Sequence, residues 1–471
     1  MDGKRIASGK DFDANNGQLT AELDARTGKA KAEDVVWLNA ADARSVAESV
    51  TKAMPWRVIG VEQKEAKLRP DPPFITSSLQ RAASGLLGFS PRQTMQFAQQ
   101  LYEGVDLGGG EREGLITYMR TDSVALSEEA LREAETMITS TYGAKYHERR
   151  QFATKSKLAQ EAHEAIRPTH LRRRPEQVKA YLDDAQLKLY RLIWNRTIAC
   201  QMADAQLLRT VIEIEAKGVA KTAVFRANGS VVTFPGFLKV SDTAQQDTEL
   251  PRIENGWGVG PGEKVALEKV EPALHETQPP ARYTEASLIQ RLDEEGIGRP
   301  STYAPTISTI QQRGYVELLG KALVPTFLGV AVTLLLKEHF GEYVDPGFTA
   351  RMEDALDAIA QGHQERGEFL DEFYKGGGEF GRGLKPAIEQ NEKEIDYPKI
   401  LLGSDPQTGE KLVVRIGRTA PFIQRGEGGA DNTATVPNDI LFEELTAERA
   451  VTLLREKAKG NEAIGLDPVT G

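Results

Sequence analysis

The sequence predicts an α+β protein of several domains, and three observations support this prediction. The chain has 471 residues, whereas a single hydrophobic core rarely grows beyond about 250 residues. Stretches in which polar and apolar residues alternate are separated by a long stretch with helical periodicity. Proline-rich and glycine-rich segments lie where these patterns change.

Residues 1–73 are expected to form the first part of a β-rich domain. The run WRVIGVEQKEAKL predicts a strand, and a helix is expected near residues 40–53. The stretch RPDPP at 69–73 has three prolines in five residues and predicts a boundary. The segment DFDANNG at 11–17 has two aspartates at a spacing that suits a metal ion. No glutamate follows at the distance of a calcium loop, so a β-turn is the favoured interpretation.

Residues 74–204 are expected to form a helical domain inserted into the β-rich one. Ser127 can cap a helix that Gly143 closes, and acidic residues follow the cap in the first turn. The single cysteine, Cys200, lies in an apolar helical context and is expected to be buried. The apolar face of the helix after Ser127 is predicted to consist of Ala130, Ala134, Met137 and Ile138.

The rest of the chain is divided in the same way. Alternation resumes over 205–275, which predicts the second part of the β-rich domain, and a helical domain is expected over 276–395. The glycine-rich stretch at 375–383 is a candidate linker. In the tail, 396–471, the pattern G-x-D-P-x-T-G occurs twice, as LGSDPQTG and IGLDPVTG. We therefore expect C-terminal repeats, the second of them truncated.

The charge is distributed unevenly. The formal net charge is −10, which by itself argues against a nucleic-acid partner, but residues 74–204 hold 18 Lys/Arg and 16 Asp/Glu. Within them, 145–174 holds nine basic and three acidic residues. This segment is interpreted either as a basic patch for nucleic acid or as a solvated surface. One cysteine excludes internal disulfides and Cys-rich zinc modules, and no apolar run is long enough to cross a membrane. A cytoplasmic location is expected.

The segment GLITYMRTDS at 114–123 is the first candidate site. GLITYM favours a strand, on which Tyr118 and Arg120 would lie on one face. A phenol that attacks a phosphodiester must lose its proton, and the Arg120 guanidinium could hold a phosphate oxygen. The alternative is a tyrosine packed on a sheet, with Arg120 paired to Asp122. These ten residues alone favour the alternative.

The segment QEAHEAIRPT at 160–169 is the second candidate. A helix is predicted from Lys157 to Ile166, stopping before Pro168. His163 and Arg167 would then be four residues apart on one helical face, where both could contact a phosphate. An ordinary surface helix, with Glu164 paired to Arg167, is the alternative.

The third candidate is the segment 281–317. A helix is expected to begin at Thr284–Glu285 and to be broken by GIGRPST, and a second helix is expected to run from about Ser301 to Gly314. Free N–H groups at the start of the second helix, with the side chains of Arg299, Ser301 and Thr302, would bind a phosphate. The spacing does not fit a P-loop, so a nucleoside triphosphate is not expected. A structural helix-turn-helix unit is the alternative.

Together these segments resemble the bacterial type IA DNA topoisomerases, in the topoisomerase I branch. The matching stretches run in order across most of 73–316: PFITSSLQRAAS, FAQQLYEGVDLGG, GLITYMRTDS, AQEAHEAIRPT and ARYTEASLIQRLDEEGIGRPSTYAPTISTIQQRGYV. The tail repeat resembles the C-terminal repeats of the family that lack zinc-binding cysteines. The resemblance implies a toroidal core whose gate is the tyrosine-bearing domain.

The resemblance also implies roles for individual residues. Tyr118 matches the nucleophile that cuts one DNA strand and holds its 5′-phosphate, and Arg120 matches the arginine that supports the reacting phosphate. His163 matches a histidine that contacts DNA near the cleavage site, with Arg167 beside it. The residues matching the loop and helix that bind single-stranded DNA are Arg299, Ser301 and Thr302, with Arg313 near the DNA backbone.

One part of the family pattern has no counterpart. Family members begin with a Toprim domain, whose glutamate and D-x-D motif bind Mg²⁺, and no segment here resembles it. We therefore expect a fragment that requires Mg²⁺ but lacks its ligands, needs neither ATP nor zinc, and relaxes negatively supercoiled DNA poorly or not at all. The expected partner is single-stranded DNA, the expected state is a monomer, and the expected location is the bacterial cytoplasm at the nucleoid. The alternative function is a non-catalytic single-stranded DNA-binding module, in which Tyr118 stacks on a base.

Overall fold

The structure is a computed structural model, and it describes residues 4–8, 11–12, 35–108, 110, 112–152, 164–218, 222–241, 261–276, 278–378 and 381–460. Its helices are α1 (Ala40–Thr51), α2 (Thr76–Leu87), α3 (Pro91–Glu103), α4 (Glu128–Tyr142), α5 (Pro175–Val178), α6 (Asp184–Ala199), α7 (Glu285–Glu294), α8 (Tyr303–Gln312), α9 (Phe327–Phe340), α10 (Pro346–Ala360), α11 (Arg366–Lys375), α12 (Leu384–Asn391) and α13 (Ala447–Gly460). Its strands are β1 (Arg5–Ile6), β2 (Val35–Val36), β3 (Trp56–Leu68), β4 (Val105–Asp106), β5 (Arg112–Glu113), β6 (Ala205–Lys217), β7 (Thr222–Phe234), β8 (Lys264–Val265), β9 (Val316–Leu319), β10 (Ala322–Pro325), β11 (Lys399–Ser404), β12 (Lys411–Ile416), β13 (Pro421–Arg425) and β14 (Thr433–Thr435). The mixture of helices and sheets confirms the α+β class.

A long antiparallel sheet joins two distant parts of the chain. Its strand order is β7-β6-β3-β8, and β3 pairs with β6 from Arg57↔Glu215 to Leu68↔Ala205. Because Leu68 and Ala205 are neighbours in this ladder, the chain leaves and re-enters the sheet at adjacent positions. Residues 69–204 are therefore an insertion into the sheet. The strands expected over WRVIGVEQKEAKL and from residue 205 onwards are confirmed, while the division into five domains stays a prediction.

The insertion contains the largest hydrophobic core among the described residues. Its helices α2, α3, α4 and α6 and the segment around Tyr118 all contribute fully buried side chains. Ser127 caps α4, Gly143 ends it, and the predicted apolar face is buried, as the sequence predicts. Cys200 is buried as expected, and burial raises the pKa of its thiol to about 12. The core members with no exposed area include Phe74, Leu79, Leu101, Leu115, Met119, Ile138, Ile166 and Leu189.

The C-terminal part has smaller cores. Helices α7 and α8 share a cluster of Ile289, Tyr303 and Ile307, and the tail folds as a sheet in the order β11-β12-β13-β14. The first copy of the repeat pattern forms the turn between β11 and β12, where Asp405 accepts a hydrogen bond from the Gln407 N–H at 2.8 Å. The second copy lies outside the described residues. Helix α9 joins the core of the tail sheet through Phe327 and Ala331.

Three local expectations are wrong. GLITYM is not a ladder strand: it is an extended segment with one isolated bridge, Ile116↔Pro168. Residues 164–166, expected to end a helix, are extended, and Ile166 is bridged to Phe74. The second helix of the 281–317 segment begins at Tyr303, two residues later than expected. Within the glycine-rich stretch, the Gly377 N–H donates to the Gly381 carbonyl at 2.9 Å.

Candidate active site

The backbone around Tyr118 is held from one side by the segment 165–169. The Thr117 N–H donates to the Arg167 carbonyl at 2.8 Å, and the Thr117 hydroxyl donates to the Ala165 carbonyl at 2.7 Å. The Arg167 N–H in turn donates to the Thr117 hydroxyl at 3.0 Å. Two short extended segments thus fix each other without forming a strand ladder.

The start of α2 holds the same segment from the other side. The Thr76 hydroxyl lies 2.8 Å from the Met119 carbonyl and 3.0 Å from the Thr121 carbonyl, and it accepts the Thr121 N–H at 3.0 Å. The Thr76 N–H also donates to the Thr121 carbonyl at 3.0 Å. Thr76 and Met119 are fully buried. The backbone on both sides of Tyr118 is therefore anchored, and its conformation follows from hydrogen bonds that water cannot replace.

The side chains of this segment alternate in exposure. Met119 is buried, whereas Tyr118 is 39% exposed and Arg120 is exposed as well. The Tyr118 ring meets the edge of the Tyr102 ring on α3, with 5.3 Å between ring centroids and an interplanar angle of 63°. Within the described residues, the Arg120 side chain has no hydrogen-bond or ion-pair partner, and it is not paired to Asp122. Tyr118 and Arg120 are thus both accessible to solvent.

In the second candidate segment, the described residues 164–169 do not form the helix that the sequence predicts. Arg167 donates from Nε to Glu164 at 2.9 Å, and its terminal nitrogen lies 2.6 Å from the same carboxylate. A further bond runs from Arg167 to the Pro168 carbonyl at 2.8 Å, and the side chain is only 13% exposed. The ion pair that the sequence offered as the alternative is therefore present. His163 lies outside the described residues, and no helical face that it would share with Arg167 exists at 164–167.

The third candidate is a tight turn whose arginine already forms an ion pair within the protein. Arg299 donates to one oxygen of Asp357 on α10, from Nε at 3.1 Å and from a terminal nitrogen at 2.7 Å. The carboxylates of Glu353 and Asp354 lie 3.9 and 3.7 Å away. Burial lowers the pKa of the Arg299 guanidinium, but the hydrogen bond and charge of Asp357 outweigh this effect and raise it. Arg299 is thus held by acidic groups of its own chain.

The N-terminus of α8 offers fewer donors than expected. The N–H groups of Thr302 and Tyr303 both point to the Arg299 carbonyl, at 2.8 and 3.3 Å, and Pro305 has no N–H. The Thr302 hydroxyl accepts the Arg299 N–H at 2.8 Å. Ser301 and Thr302 are exposed. The Thr302 hydroxyl also donates to the Arg299 carbonyl at 3.1 Å, so its one hydrogen is already used in this conformation, whereas no hydrogen bond of the Ser301 hydroxyl is described.

Arg313 lies at the other end of α8. Its backbone N–H caps the helix by donating to the Thr309 carbonyl at 3.0 Å, and its side chain is exposed. This position leaves the guanidinium accessible to solvent.

Ser77 and Asp293 connect the first and third candidate segments, although the sequence assigned neither residue a role. Asp293, near the end of α7, accepts a hydrogen bond from the Ser77 hydroxyl at 3.0 Å and one from the Tyr303 hydroxyl at 2.9 Å. Ser77 follows Thr76 directly in α2. The two residues lie within the runs TSSLQ and RLDEEG, but their pairing joins positions 216 residues apart, and no local pattern reveals it.

The described residues do not offer a site for Mg²⁺. No group of three or more His, Cys, Asp or Glu side chains that could hold a metal ion exists within them. Asp11, the described member of the DFDANNG pair, is buried, and its carboxylate accepts hydrogen bonds from Arg5 and from the Ser8 N–H and hydroxyl. These bonds hold the pKa of Asp11 well below its usual range. The described part of this chain therefore does not fit the implied metal.

No helix in the described ranges is long and apolar enough to span a membrane.

Comparison with known proteins decides the family. Residues 11–371 match the family described as DNA topoisomerase, and residues 405–463 match the family described as topoisomerase C-terminal repeat. The chain belongs to the bacterial type IA DNA topoisomerases. The resemblance to the topoisomerase I branch is thereby confirmed.

The curated relatives that match this topoisomerase chain over its whole length are longer proteins. It is 40% identical to DNA topoisomerase 1 of Synechocystis over 100% of this chain and 50% of the relative. It is also 40% identical to DNA topoisomerase 1 of Mycolicibacterium smegmatis, over 100% of this chain and 50% of that relative. The solved structure of full-length topoisomerase I from Thermotoga maritima is similar over 91% of this chain and 65% of that one, at 32% identity and a TM-score of 0.69. The chain spans about half the length of the curated relatives that it matches.

Proposed function

We propose that this chain carries the strand-cleaving tyrosine of a DNA topoisomerase, and that this tyrosine is Tyr118. The observation that carries the proposal is the anchored segment from Thr117 to Thr121, which presents Tyr118 and Arg120 to solvent on either side of the buried Met119. A nucleophile gains from such fixed placement, because less orientational freedom is lost when the substrate binds. A stacking aromatic would not need a neighbouring arginine or a backbone fixed from two sides.

The proposed reaction is a transesterification. The Tyr118 hydroxyl loses its proton and attacks a DNA phosphorus; the new bond joins the phenolic oxygen to phosphorus, and the P–O3′ bond breaks. The departing 3′ oxygen takes up a proton, and the 5′-phosphate stays on the tyrosine. One phosphodiester is exchanged for another, so the reverse step reseals the strand without ATP. Arg120 would bind a non-bridging oxygen and stabilise the charge that develops there.

The remaining candidates are assigned to DNA binding. Ser301 would donate a hydroxyl hydrogen bond to a phosphate, Thr302 would do so only after releasing the Arg299 carbonyl, and Arg313 would contact the DNA backbone through its exposed guanidinium. Arg299 would reach a phosphate only after leaving Asp357. Arg167 supports the Tyr118 segment through its backbone, so we assign it a structural role besides any DNA contact. His163 keeps the DNA-contacting role that the family resemblance implies.

The proposed substrate is a single-stranded segment of negatively supercoiled DNA, which the protein would bind as a monomer in the bacterial cytoplasm. We propose that these 471 residues relax such DNA weakly by themselves, because the described residues do not fit Mg²⁺. The second candidate function is single-stranded DNA binding without cleavage. Arg299 and the exposed hydroxyls near it support DNA binding whether or not Tyr118 reacts.

A labelled single-stranded oligonucleotide separates the two functions. Wild type and Tyr118→Phe are incubated with Mg²⁺, with and without a Toprim domain from a relative, and then denatured. We expect wild type with the added domain to retain label after denaturation, and Tyr118→Phe to retain none, although both bind the oligonucleotide under native conditions. If wild type binds but never retains label, the chain is a binding module and the catalytic proposal is wrong.

A further inference from the structure

Asp293 is the only side chain with a described hydrogen bond to both α2 and α8. One carboxylate oxygen accepts the Ser77 hydroxyl at 3.0 Å, and the other accepts the Tyr303 hydroxyl at 2.9 Å. Ser77 is 6% exposed and Tyr303 is 4% exposed. Both hydroxyls are therefore largely withdrawn from water, whereas Asp293 itself is exposed, and Asp293 is the described acceptor of each hydroxyl.

Each partner of Asp293 lies next to one of the two candidate DNA-contacting loops. Ser77 directly follows Thr76, whose hydroxyl holds the backbone on both sides of Tyr118. Tyr303 is the first residue of α8 and directly follows Thr302. A displacement of either loop therefore reaches the other through one carboxylate and two short stretches of backbone.

The surroundings of Tyr303 support this link. Its ring belongs to the small core of Ile289 and Ile307, through which α7 and α8 pack against each other as one unit. Burial, followed by the charge and hydrogen bond of Asp293, raises the pKa of the Tyr303 hydroxyl, and the charge of Asp122 adds to this effect. Asp122 lies in the turn after Tyr118. The hydroxyl thus stays protonated and can remain a donor to Asp293.

We propose that Asp293 is a positioning residue that fastens the α7–α8 unit to the N-terminus of α2 and thereby couples the 296–302 loop to the placement of Tyr118. The fastening itself is a property of the free protein. The coupling to Tyr118 rests on the proposed function. When the Ser77 hydroxyl leaves the carboxylate, α7 and α8 can separate from α2, and the helix start next to Tyr118 loses this contact.

The first experiment measures the fastening without DNA. Spin labels are placed on the exposed positions of Glu135→Cys in α4 and Glu368→Cys in α11, since Cys200 is buried and its pKa is raised to about 12, which leaves it little reactive. We expect one dominant distance in the otherwise unchanged chain. Asp293→Ala should increase the population at longer distance about tenfold, the effect expected for lost hydrogen bonds to a charged group.

Three further variants keep the distance measurement decisive. Ser77→Ala removes the described bond between Asp293 and α2 with a minimal change in volume, and should open the protein about as much as Asp293→Ala. Asp293→Asn retains one acceptor oxygen and should restore part of the closed population. Glu294→Ala removes a neighbouring carboxylate that pairs with Gln290 on the same helix, and should leave the distribution unchanged. A distribution for Asp293→Ala that equals that of the unchanged chain would overturn the proposal.

The second experiment tests the coupling. At saturating oligonucleotide, with Mg²⁺ and the added Toprim domain, Asp293→Ala should form the covalent adduct about tenfold more slowly while its affinity for the oligonucleotide changes less than about twofold. Partial recovery of the rate in Asp293→Asn is expected. A fall in affinity with an unchanged rate would contradict a positioning role. If wild type forms no adduct, the proposed function fails, and the distance measurement still decides whether Asp293 fastens the two units.

Discussion

The two candidate DNA-contacting loops are held in opposite ways. In the segment 118–123 the backbone is fixed by Thr76 and by the 165–169 segment, and the functional side chains are exposed. In the loop 296–302 the side chain of Arg299 is itself fixed, by Asp357 and two further carboxylates of α10. The first loop is arranged before DNA arrives, whereas the second must exchange an internal partner for a phosphate.

This difference indicates that the two loops would have different functions, one in cleavage and the other in DNA binding. Preorganised groups act most strongly where charge develops during reaction, because no reorganisation is needed at that moment. A cation that must leave a carboxylate binds more weakly, but it also rejects weak or misplaced ligands. We therefore expect substitutions at the first loop to affect the rate of cleavage, and substitutions at the second loop to affect DNA affinity.

The largest effect is expected from Arg120→Ala. Loss of one preorganised charged donor should lower the rate of adduct formation about 100-fold, with little change in oligonucleotide affinity. Arg120→Lys should recover only part of the rate, because an ammonium cannot bind two oxygens in one plane. Arg132→Ala, at an exposed arginine on α4, is the matched control and should leave the rate unchanged. An equal rate for Arg120→Ala and wild type would show that the first loop does not use this arginine.

The next effect concerns the anchor of the first loop. Thr76→Val removes the hydroxyl that contacts Met119 and Thr121, and the buried backbone groups left without it should lower the free energy of unfolding by about 2 kcal/mol. Thr197→Val is the matched control: its buried hydroxyl bonds only to the Ile193 carbonyl within α6, so we expect a loss below about 1 kcal/mol. Urea unfolding compares the two. Equal losses would mean that Thr76 is no special anchor.

A smaller effect is expected at the second loop, where one substitution should increase the affinity for DNA. Asp357→Asn weakens the hold on Arg299 and should strengthen single-stranded DNA binding about fivefold. Asp354→Asn removes the same charge at a residue that makes no described hydrogen bond to Arg299, and should strengthen binding by less than about twofold. The gain should vanish when Asp357→Asn is combined with Arg299→Ala. Weaker binding by Asp357→Asn would instead mean that the ion pair orients Arg299 for DNA.

The smallest effect is expected at Arg313. Arg313→Ala should weaken binding about twofold to threefold for all oligonucleotide sequences, and should reduce the slope of log affinity against log salt by about 1. Fluorescence anisotropy at several salt concentrations measures both quantities. A sequence-dependent loss, or an unchanged slope, would contradict a simple phosphate contact.

Local signals in the sequence predicted much of the fold. The cap at Ser127 and the glycine at Gly143 define α4 as expected, and Thr284 caps α7. The strands on both sides of the insertion follow from alternation along WRVIGVEQKEAKL and from residue 205. These elements could be predicted because each depends on neighbours within one or two turns of chain.

The remaining features depend on partners far away in sequence. GLITYM has the composition of a strand, but its neighbours are single residues of the 165–169 segment, so no ladder forms. Arg299 looked like a free phosphate ligand because Asp357, 58 residues later, is invisible to a local pattern. The role of Asp293 is hidden for the same reason, since Ser77 lies 216 residues before it. Site residues could be proposed from motifs, whereas their internal partners could not.

The proposed role of Tyr118 is tested most directly by locating the residue that carries DNA in the trapped adduct. The adduct formed with Mg²⁺ and an added Toprim domain is digested with trypsin and nuclease, and the peptides that carry nucleotide are identified by mass spectrometry. Cleavage after arginine yields the peptide 113–120, whose one tyrosine is Tyr118, and the peptide 93–112, whose one tyrosine is Tyr102. We predict nucleotide on 113–120 alone. Nucleotide on 93–112, or on any peptide other than 113–120, would contradict it.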